Sequence, residues 1–358
     1  MDIDLQKLTQ TQLLRIVNST PAGEVLTRSM LRKQMDSAAM TFGDGRRIHL
    51  LRYIRYLVEQ HHQQRVSAAG AEKYLRARQR QSQRNLAATR AAQNIAPIPD
   101  IADVARRRAA SRSLQKFCRT YFQQEFFWGF CDDHKKVISV LEQTIMDGGL
   151  FAFAMPRGSG KTTLLRTAAL WAILTGRCQF VCLIGASRER AAELLASIKM
   201  HILENERLRA DFPEAIYPLW RLENTSKRQK AQHCNGRLTH VHWGDFKVVF
   251  PTIARDDLPA SLLKHNLTPA ATGAVITATS LDSNLRGQQH TRPDGTTVRP
   301  SLILLDDPQT RQSASSPRQT KFRLELLNGD VLALAGPGAR AAVFMACTKI
   351  ASMWPRLK

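Results

Sequence analysis

The sequence predicts an α/β fold with a mainly parallel central sheet flanked by helices, preceded by a small all-α, helix-turn-helix-like domain. Three observations carry the prediction. The apolar run Phe151-Ala-Phe-Ala154 stops at the glycine-rich turn Met155-Pro-Arg-Gly-Ser-Gly160, and Lys161-Thr-Thr163 then opens a helical pattern. Next, the buried-strand pattern Gln179-Phe-Val-Cys-Leu-Ile-Gly185 leads into a long helix through Leu194 to Leu203, and strand, helix, strand, helix in succession implies parallel pairing. Finally, Ser301-Leu-Ile-Leu-Leu-Asp-Asp307 drives four apolar residues into paired carboxylates, the pattern of a central strand whose C-terminal tip reaches a ligand crevice.

Composition bounds the partners. A chain of 358 residues, 43% hydrophobic, is long enough for two or three folded units. A net charge of +22 is far from what a metabolic enzyme needs and points to a polyanion, most simply nucleic acid, with an anionic membrane surface the weaker alternative. No apolar run approaches the roughly 18 residues of a membrane span. The start Met1-Asp-Ile-Asp-Leu5 has no signal character, so the expected location is the cytoplasm. Cysteines 118, 131, 178, 182, 234 and 347 form no Cys-x-x-Cys pair and read as buried thiols, with Cys178 and Cys182 fitting one face of a strand.

In chain order, Thr9-Gln-Thr-Gln12 is a capping box ahead of Leu13-Leu-Arg-Ile-Val17, and Asn18-Ser-Thr-Pro-Ala-Gly23 is a turn. A second helix runs from about Thr27 through Met30, Leu31 and Met35, with Arg28, Arg32 and Lys33 on its polar side. After Phe42-Gly-Asp-Gly-Arg-Arg47 a third helix begins near His49. Short helices joined by a turn, the second one basic, describe either a DNA-reading helix-turn-helix or an ordinary three-helix bundle. Residues 1–64 are assigned to this domain.

Residues 65–114 read as a basic helical linker. Between Arg65 and Arg119 lie thirteen Lys or Arg against three acids, and the cluster Arg106, Arg107 and Arg108 suits contact with a DNA backbone; a merely solvated charged helix is the alternative. The aromatic stretch Phe117–Phe130 marks the return of a packed core, and Asp132-Asp-His-Lys-Lys136 caps a helix through Val137, Ile138 and Leu141. His134 and Trp128, just ahead of the glycine-rich turn, are candidates to pack on a base; a helix cap for His134 and a core place for Trp128 are the plainer readings.

The turn itself reads as a phosphate-binding loop. Gly158, Ser159 and Gly160 let backbone amides wrap an anion, Lys161 adds a point charge, Thr162 offers a hydroxyl to Mg²⁺, and the helix from Thr163 aims its positive end at the same place. Residues 205–245 read as an irregular polar insertion at the sheet edge, with further strands at Phe246–Pro251 and Ala274–Ser280. Asp306 then belongs beside Thr162 as a metal ligand, and Asp307 stands where nucleotide hydrolases place the acid that orients water. Ala341-Ala-Val-Phe-Met-Ala-Cys-Thr-Lys349 is a last strand ending in small and hydroxyl residues.

Taken together, Met155–Thr163, the segment from Phe117 to His134, Asn284-Leu-Arg-Gly287, Leu304-Leu-Asp-Asp-Pro-Gln309 and Ala346-Cys-Thr348 resemble the ATPase half of a phage terminase large subunit over roughly residues 115–350. The resemblance implies a P-loop NTPase that uses ATP and Mg²⁺. Lys161, Thr162 and Thr163 would bind nucleotide, Asp306 the metal, and Asp307 would polarise water. Arg157 would act on the phosphates, and Thr348 would sense loss of the γ-phosphate. The implied partners are double-stranded DNA, a small terminase subunit, a portal protein and further copies of the chain, inside a bacterial host cell carrying a phage or prophage. Members of that family continue into a nuclease with an acidic cluster; the ten residues after Thr348 hold no acid, so no nuclease is expected, and residues 351–358 read as the tail of a truncated or frameshifted gene. A helicase-type ATPase and a non-catalytic DNA- and ATP-binding remnant remain the alternatives, the second because aspartate at position 307 is one methylene shorter than glutamate.

Overall fold

The computed structural model describes residues 4–19, 25–37, 47–283, 285, 287–336 and 338–348, with side chains except those of residues 37, 63–73, 86–92 and 311. The expected turn around Thr20–Gly23, the Phe42–Arg46 turn, Asn284, Arg286 and the tail from Lys349 lie outside the described residues. The chain divides into two units, residues 1–88 and 89–358.

In the first unit, α1 (Gln10–Asn18) begins with the expected capping box, Thr9 and Gln12 satisfying each other's backbone amides. Asn18 bridges to the following segment, its amide donating to Leu26 O and its Oδ1 accepting from the Val25 and Leu26 amides. Then come α2 (Arg28–Ser37) and α3 (Leu50–Ala92). Leu8, Leu13, Leu26, Leu31, Ile48 and Tyr53 form their small core. Met30 stays out of it at 50% exposure, and Arg28, Arg32 and Lys33 are exposed on α2. The third helix runs on past residue 64, the expected domain bound, into the expected helical linker; it spans 43 residues in all, with positions 74–85 exposed.

The second unit is α/β. Its helices α4 (Val104–Arg112), α5 (Leu114–Tyr121) and α6 (Asp132–Asp147) precede strand β1 (Gly149–Ala154), helix α7 (Lys161–Leu174), strand β2 (Phe180–Gly185) and helix α8 (Arg188–Glu204). Residues 205–245 are more ordered than their prolines suggest. Pro213 occupies the first turn of α10 (Pro213–Trp220), where its missing amide costs nothing, and that helix follows α9 (Glu206–Asp211). Leu208, Phe212, Ile216 and Leu219 are buried there. A hairpin of β3 (His233–Cys234) and β4 (Arg237–Leu238) leads to β5 (His242–Trp243), β6 (Lys247–Val249) and β7 (Val275–Ser280). A second hairpin, β8 (His290–Thr291) with β9 (Thr297–Val298), precedes β10 (Leu302–Asp306), and β11 (Ala342–Cys347) closes the sheet.

The central sheet has seven strands in the order β1-β11-β10-β2-β7-β6-β5. Pairing is parallel from β1 to β7 and antiparallel for β6 and β5. The inner strands are buried on both faces, which is why they read as unbroken apolar runs. Val181, Leu183, Leu302, Leu304 and Phe344 face the larger core, while Cys182, Ile184, Ile303, Leu305 and Val343 face the smaller one. Cys178, expected on the same face as Cys182, packs in the larger core instead, because it lies before β2 begins and escapes the strand alternation. After Thr167, helix α7 is apolar all round and buried, with Trp171 inaccessible and its indole N–H donating to Ala110 O.

The expected linker gives way to the α/β unit well before residue 114. Ile95, Ile98 and Ile101 are buried, Ala110 belongs to the larger core, and α4 packs against α5 and α9, so residues 89–114 are part of the α/β unit. Trp128, expected in the core, is 88% exposed, resting beside Phe127 with ring centroids 4.5 Å apart. The cap of α6 is Cys131; Asp132 and Asp133 sit in its first turn, where acids suit the helix dipole.

Candidate active site

Parallel register brings three strand ends into line. Ala154 of β1 lies opposite Cys347 of β11, and Ala346 lies opposite Asp306 of β10. Met155 N then donates to Cys347 O at 2.9 Å and Asp307 N to Ala346 O at 2.8 Å, so the glycine-rich turn, Thr348 and Asp307 leave the sheet side by side. Strand β11 separates the other two strands, which sets its terminal threonine between the turn and the acids.

The turn holds its shape through glycine. Gly158 and Gly160 both have φ +76°, a left-handed conformation that a side chain would strain, and Gly160 is the N-cap of α7. Ser159 Oγ donates to Pro156 O at 2.8 Å across the turn. Lys161, the first helical residue, is 6% exposed. Its ammonium donates to Thr348 Oγ1 at 2.9 Å and lies 3.7 Å from Asp307 Oδ2, and Thr348 Oγ1 itself donates to Asp307 Oδ2 at 3.2 Å. Beside this chain, Thr162 Oγ1 donates to Asp306 Oδ2 at 2.7 Å.

Two features set these acids apart from a structural pair. Burial, and then the charge of Asp307, push the Asp306 carboxyl above its usual range, against the Thr162 bond and the positive charges of Lys161 and Arg166. The Oδ1 atoms of both aspartates are buried without a hydrogen-bond partner, which is costly for a carboxylate oxygen. Asp307 also takes φ +40°, a strained value for a residue with a Cβ. Buried anionic oxygens beside a lysine and a threonine hydroxyl suit a hydrated Mg²⁺. No group of three or more His, Cys, Asp or Glu able to hold a metal occurs among the described residues, so Mg²⁺ here would take the rest of its shell from phosphate and water, as it commonly does.

A cavity of about 590 Å³ opens above the strand ends, within the size range of small-ligand sites. Arg157, Thr162, Asp306, Asp307 and Thr348 are among its lining residues. The lining also includes residues to which the sequence reading gave no site role: Ser187, Arg190, Glu193 and Ser197 at and beyond the start of α8, with Gln309 and Thr310 following the paired acids. The available signal was Gly185-Ala-Ser187, a second strand-to-helix turn on the strand next to β10. A Cβ at Gly185 would lie 2.8 Å from Ala191 N, so glycine lets α8 pack close to this strand tip.

His134 is bonded to the turn. Its Nε2 lies 2.8 Å from Ser159 O and its Nδ1 2.9 Å from Cys131 Sγ. Thr163 Oγ1 accepts from Arg166, whose guanidinium stands 3.7 Å from Glu125. Arg28, Arg32 and Lys33 belong to the other unit.

The expectation for Arg106 and Arg107 needs correction. Arg106 makes two bonds to the fully buried Asp211, at 2.6 and 2.7 Å. Arg107 is 4% exposed, grips both oxygens of Glu214 at 2.6 and 3.0 Å, and covers the Phe212 ring at 4.5 Å. These guanidiniums hold α4 to α9 and α10 and are spent on the fold. Arg108 remains exposed, donating to His265 O at 2.9 Å. No protein-family model and no curated protein matches the chain, so its reading rests on this geometry.

Proposed function

We propose that the chain is the ATP-hydrolysing module of a DNA-translocating motor of the phage terminase large-subunit type, its α/β unit a P-loop NTPase. The observation that carries this reading is the chain Lys161–Thr348–Asp307 lying beside the Thr162–Asp306 pair, on neighbouring parallel strand ends under one cavity. In it, the amides around Gly158, Ser159 and Gly160 and the charges of Lys161 and Arg157 bind the phosphates of ATP. Thr162 and Asp306 would hold Mg²⁺, which supplies charge neutralisation at the phosphates. Asp307, with its partnerless Oδ1, accepts a proton or hydrogen bond from the attacking water and orients it. Thr348 bonds both Lys161 and Asp307, so a shift of the lysine towards or away from a phosphate is felt at β11.

Double-stranded DNA is the proposed track. The +22 charge supports it, as do Arg28, Arg32 and Lys33, exposed on α2 of a compact three-helix unit that we read as helix-turn-helix-like. Work on such a track implies several copies acting together, and the same reading makes a small terminase subunit and a portal protein its natural partners.

Binding of a fluorescent ATP analogue with Mg²⁺ tests the reading. Lys161→Ala removes the buried cation at the phosphate site and should abolish binding, whereas unchanged affinity would overturn the assignment.

A further inference from the structure

On the side of β2 away from β10, the sheet runs out through β7 and β6 to β5, and basic side chains collect at that edge. Lys247 on β6 places its ammonium 3.3 Å from His290 Nδ1 on β8. Lys199 on α8 lies 4.7 Å over the Trp243 ring and donates to Gly244 O at 3.4 Å. His242 on β5 joins them: burial, then the charges of Lys247 and Lys199, hold its imidazole below the usual range, and His290 is lowered by burial and then by Lys247, Arg292 and His242. Among the described residues, the acid whose charge bears on this group is Asp245, acting on Lys199.

The turn from Arg221 to Lys230 extends the basic edge. It is tied to β5 by Trp243 N donating to Gln229 Oε1 and Trp243 Nε1 donating to Asn224 Oδ1, and it leaves Lys227 and Lys230 exposed. Half-buried like charges repel one another, and among the described residues no carboxylate forms an ion pair with Lys199 or Lys247. A lysine on an edge strand also blocks strand addition, but that role needs one exposed charge rather than a cluster drawn from two strands, a hairpin and a helix.

We propose that this edge, comprising Lys199, His242, Lys247 and His290 with Lys227 and Lys230, is a contact surface for the phosphate backbone of double-stranded DNA. The proposal rests on the translocase reading and gives its DNA a place on the α/β unit. Lys199 also shares α8 with Arg190, Glu193 and Ser197, which line the cavity, so DNA contact and cavity contents bear on one 17-residue helix.

The test is titration of the full chain onto a fluorescently labelled DNA duplex across a series of NaCl concentrations, alongside ATP-analogue binding. Lys199→Gln/Lys247→Gln should lower the slope of log affinity against log salt by about 1.8, which is on the order of 60-fold in affinity at 0.1 M salt. Lys227→Gln/Lys230→Gln, at exposed positions that do not threaten folding, should lower it by up to the same amount and decides the matter if the first variant does not fold. Wild-type binding with both slopes unchanged overturns this surface and leaves the motor reading standing. Absence of wild-type DNA binding overturns the DNA reading and this surface together, while ATP-analogue binding reports on the nucleotide site separately.

Discussion

Replacing Arg107 by Ala should destabilise the α/β unit without touching its DNA affinity. Arg107 and Glu214 bury side chains at 5% and 4% exposure and meet in two hydrogen bonds, the shorter 2.6 Å. The mutation leaves the Glu214 carboxylate buried and unpaired, removes the bond to Asp211 O at 3.0 Å, and uncovers the Phe212 ring. Breaking one side of a buried pair costs about 3–5 kcal/mol, whereas replacing both partners by apolar groups is often neutral. At roughly 2–4 °C per kcal/mol for a unit of this size, the melting temperature should fall on the order of 10 °C. Arg107→Met/Glu214→Leu should recover most of that loss. Calorimetry or circular-dichroism melting measures both variants, and the DNA salt titration supplies the second readout. A single variant that melts like wild type while its salt slope drops by about 0.9 would refute the scaffold argument and restore Arg107 as a phosphate contact.

Two further outcomes follow from the site and the edge. Asp307→Asn should keep ATP-analogue binding while lowering ATP hydrolysis by about two orders of magnitude, as loss of a water-orienting base does; hydrolysis at the wild-type rate would put that role elsewhere. His242 and His290 have folded pKa values held below the unfolded value of about 6.5, so the stability they contribute is fully present above that pH and is lost as pH falls through their folded values. Thermal melts from pH 8 down to pH 5 should therefore show stability dropping below about 6.5, with a shallower drop in His290→Gln; an identical drop in the variant would remove His290 from the account.

The strand, turn and helix around residues 149–163 were legible because their signals are local. An apolar strand, glycines at the positions that turn left-handed, and a helical pattern after them are written in adjacent residues. The same holds for β2 and β10, whose burial on both faces shows as unbroken apolar runs, and for the Thr9 capping box. Local signals failed where a second element intervened. Residues 205–245 looked irregular because prolines and polar residues mask two short helices whose buried faces appear only once α8 lies against them. Trp128 looked like core because it stands among aromatics, yet packing takes Phe117, Tyr121 and Phe122 and leaves the indole outside.

The candidate site divides along the same line. Chain order joined Lys161 and Thr162 to Asp306 and Asp307, since the glycine-rich turn and the paired acids follow one another in the sequence, and the terminase resemblance added Thr348. Only the tertiary structure put Thr348, 187 residues after Lys161, within 2.9 Å of its ammonium, and added Arg190 and Glu193 to the cavity lining. It alone decided that Arg106 and Arg107 face Asp211 and Glu214 rather than a polyanion. The physical reason is that periodicity and turn chemistry act between neighbours in the chain, whereas a charge finds its partner through the packing of elements about a hundred residues apart, and no helical spacing records what lies opposite.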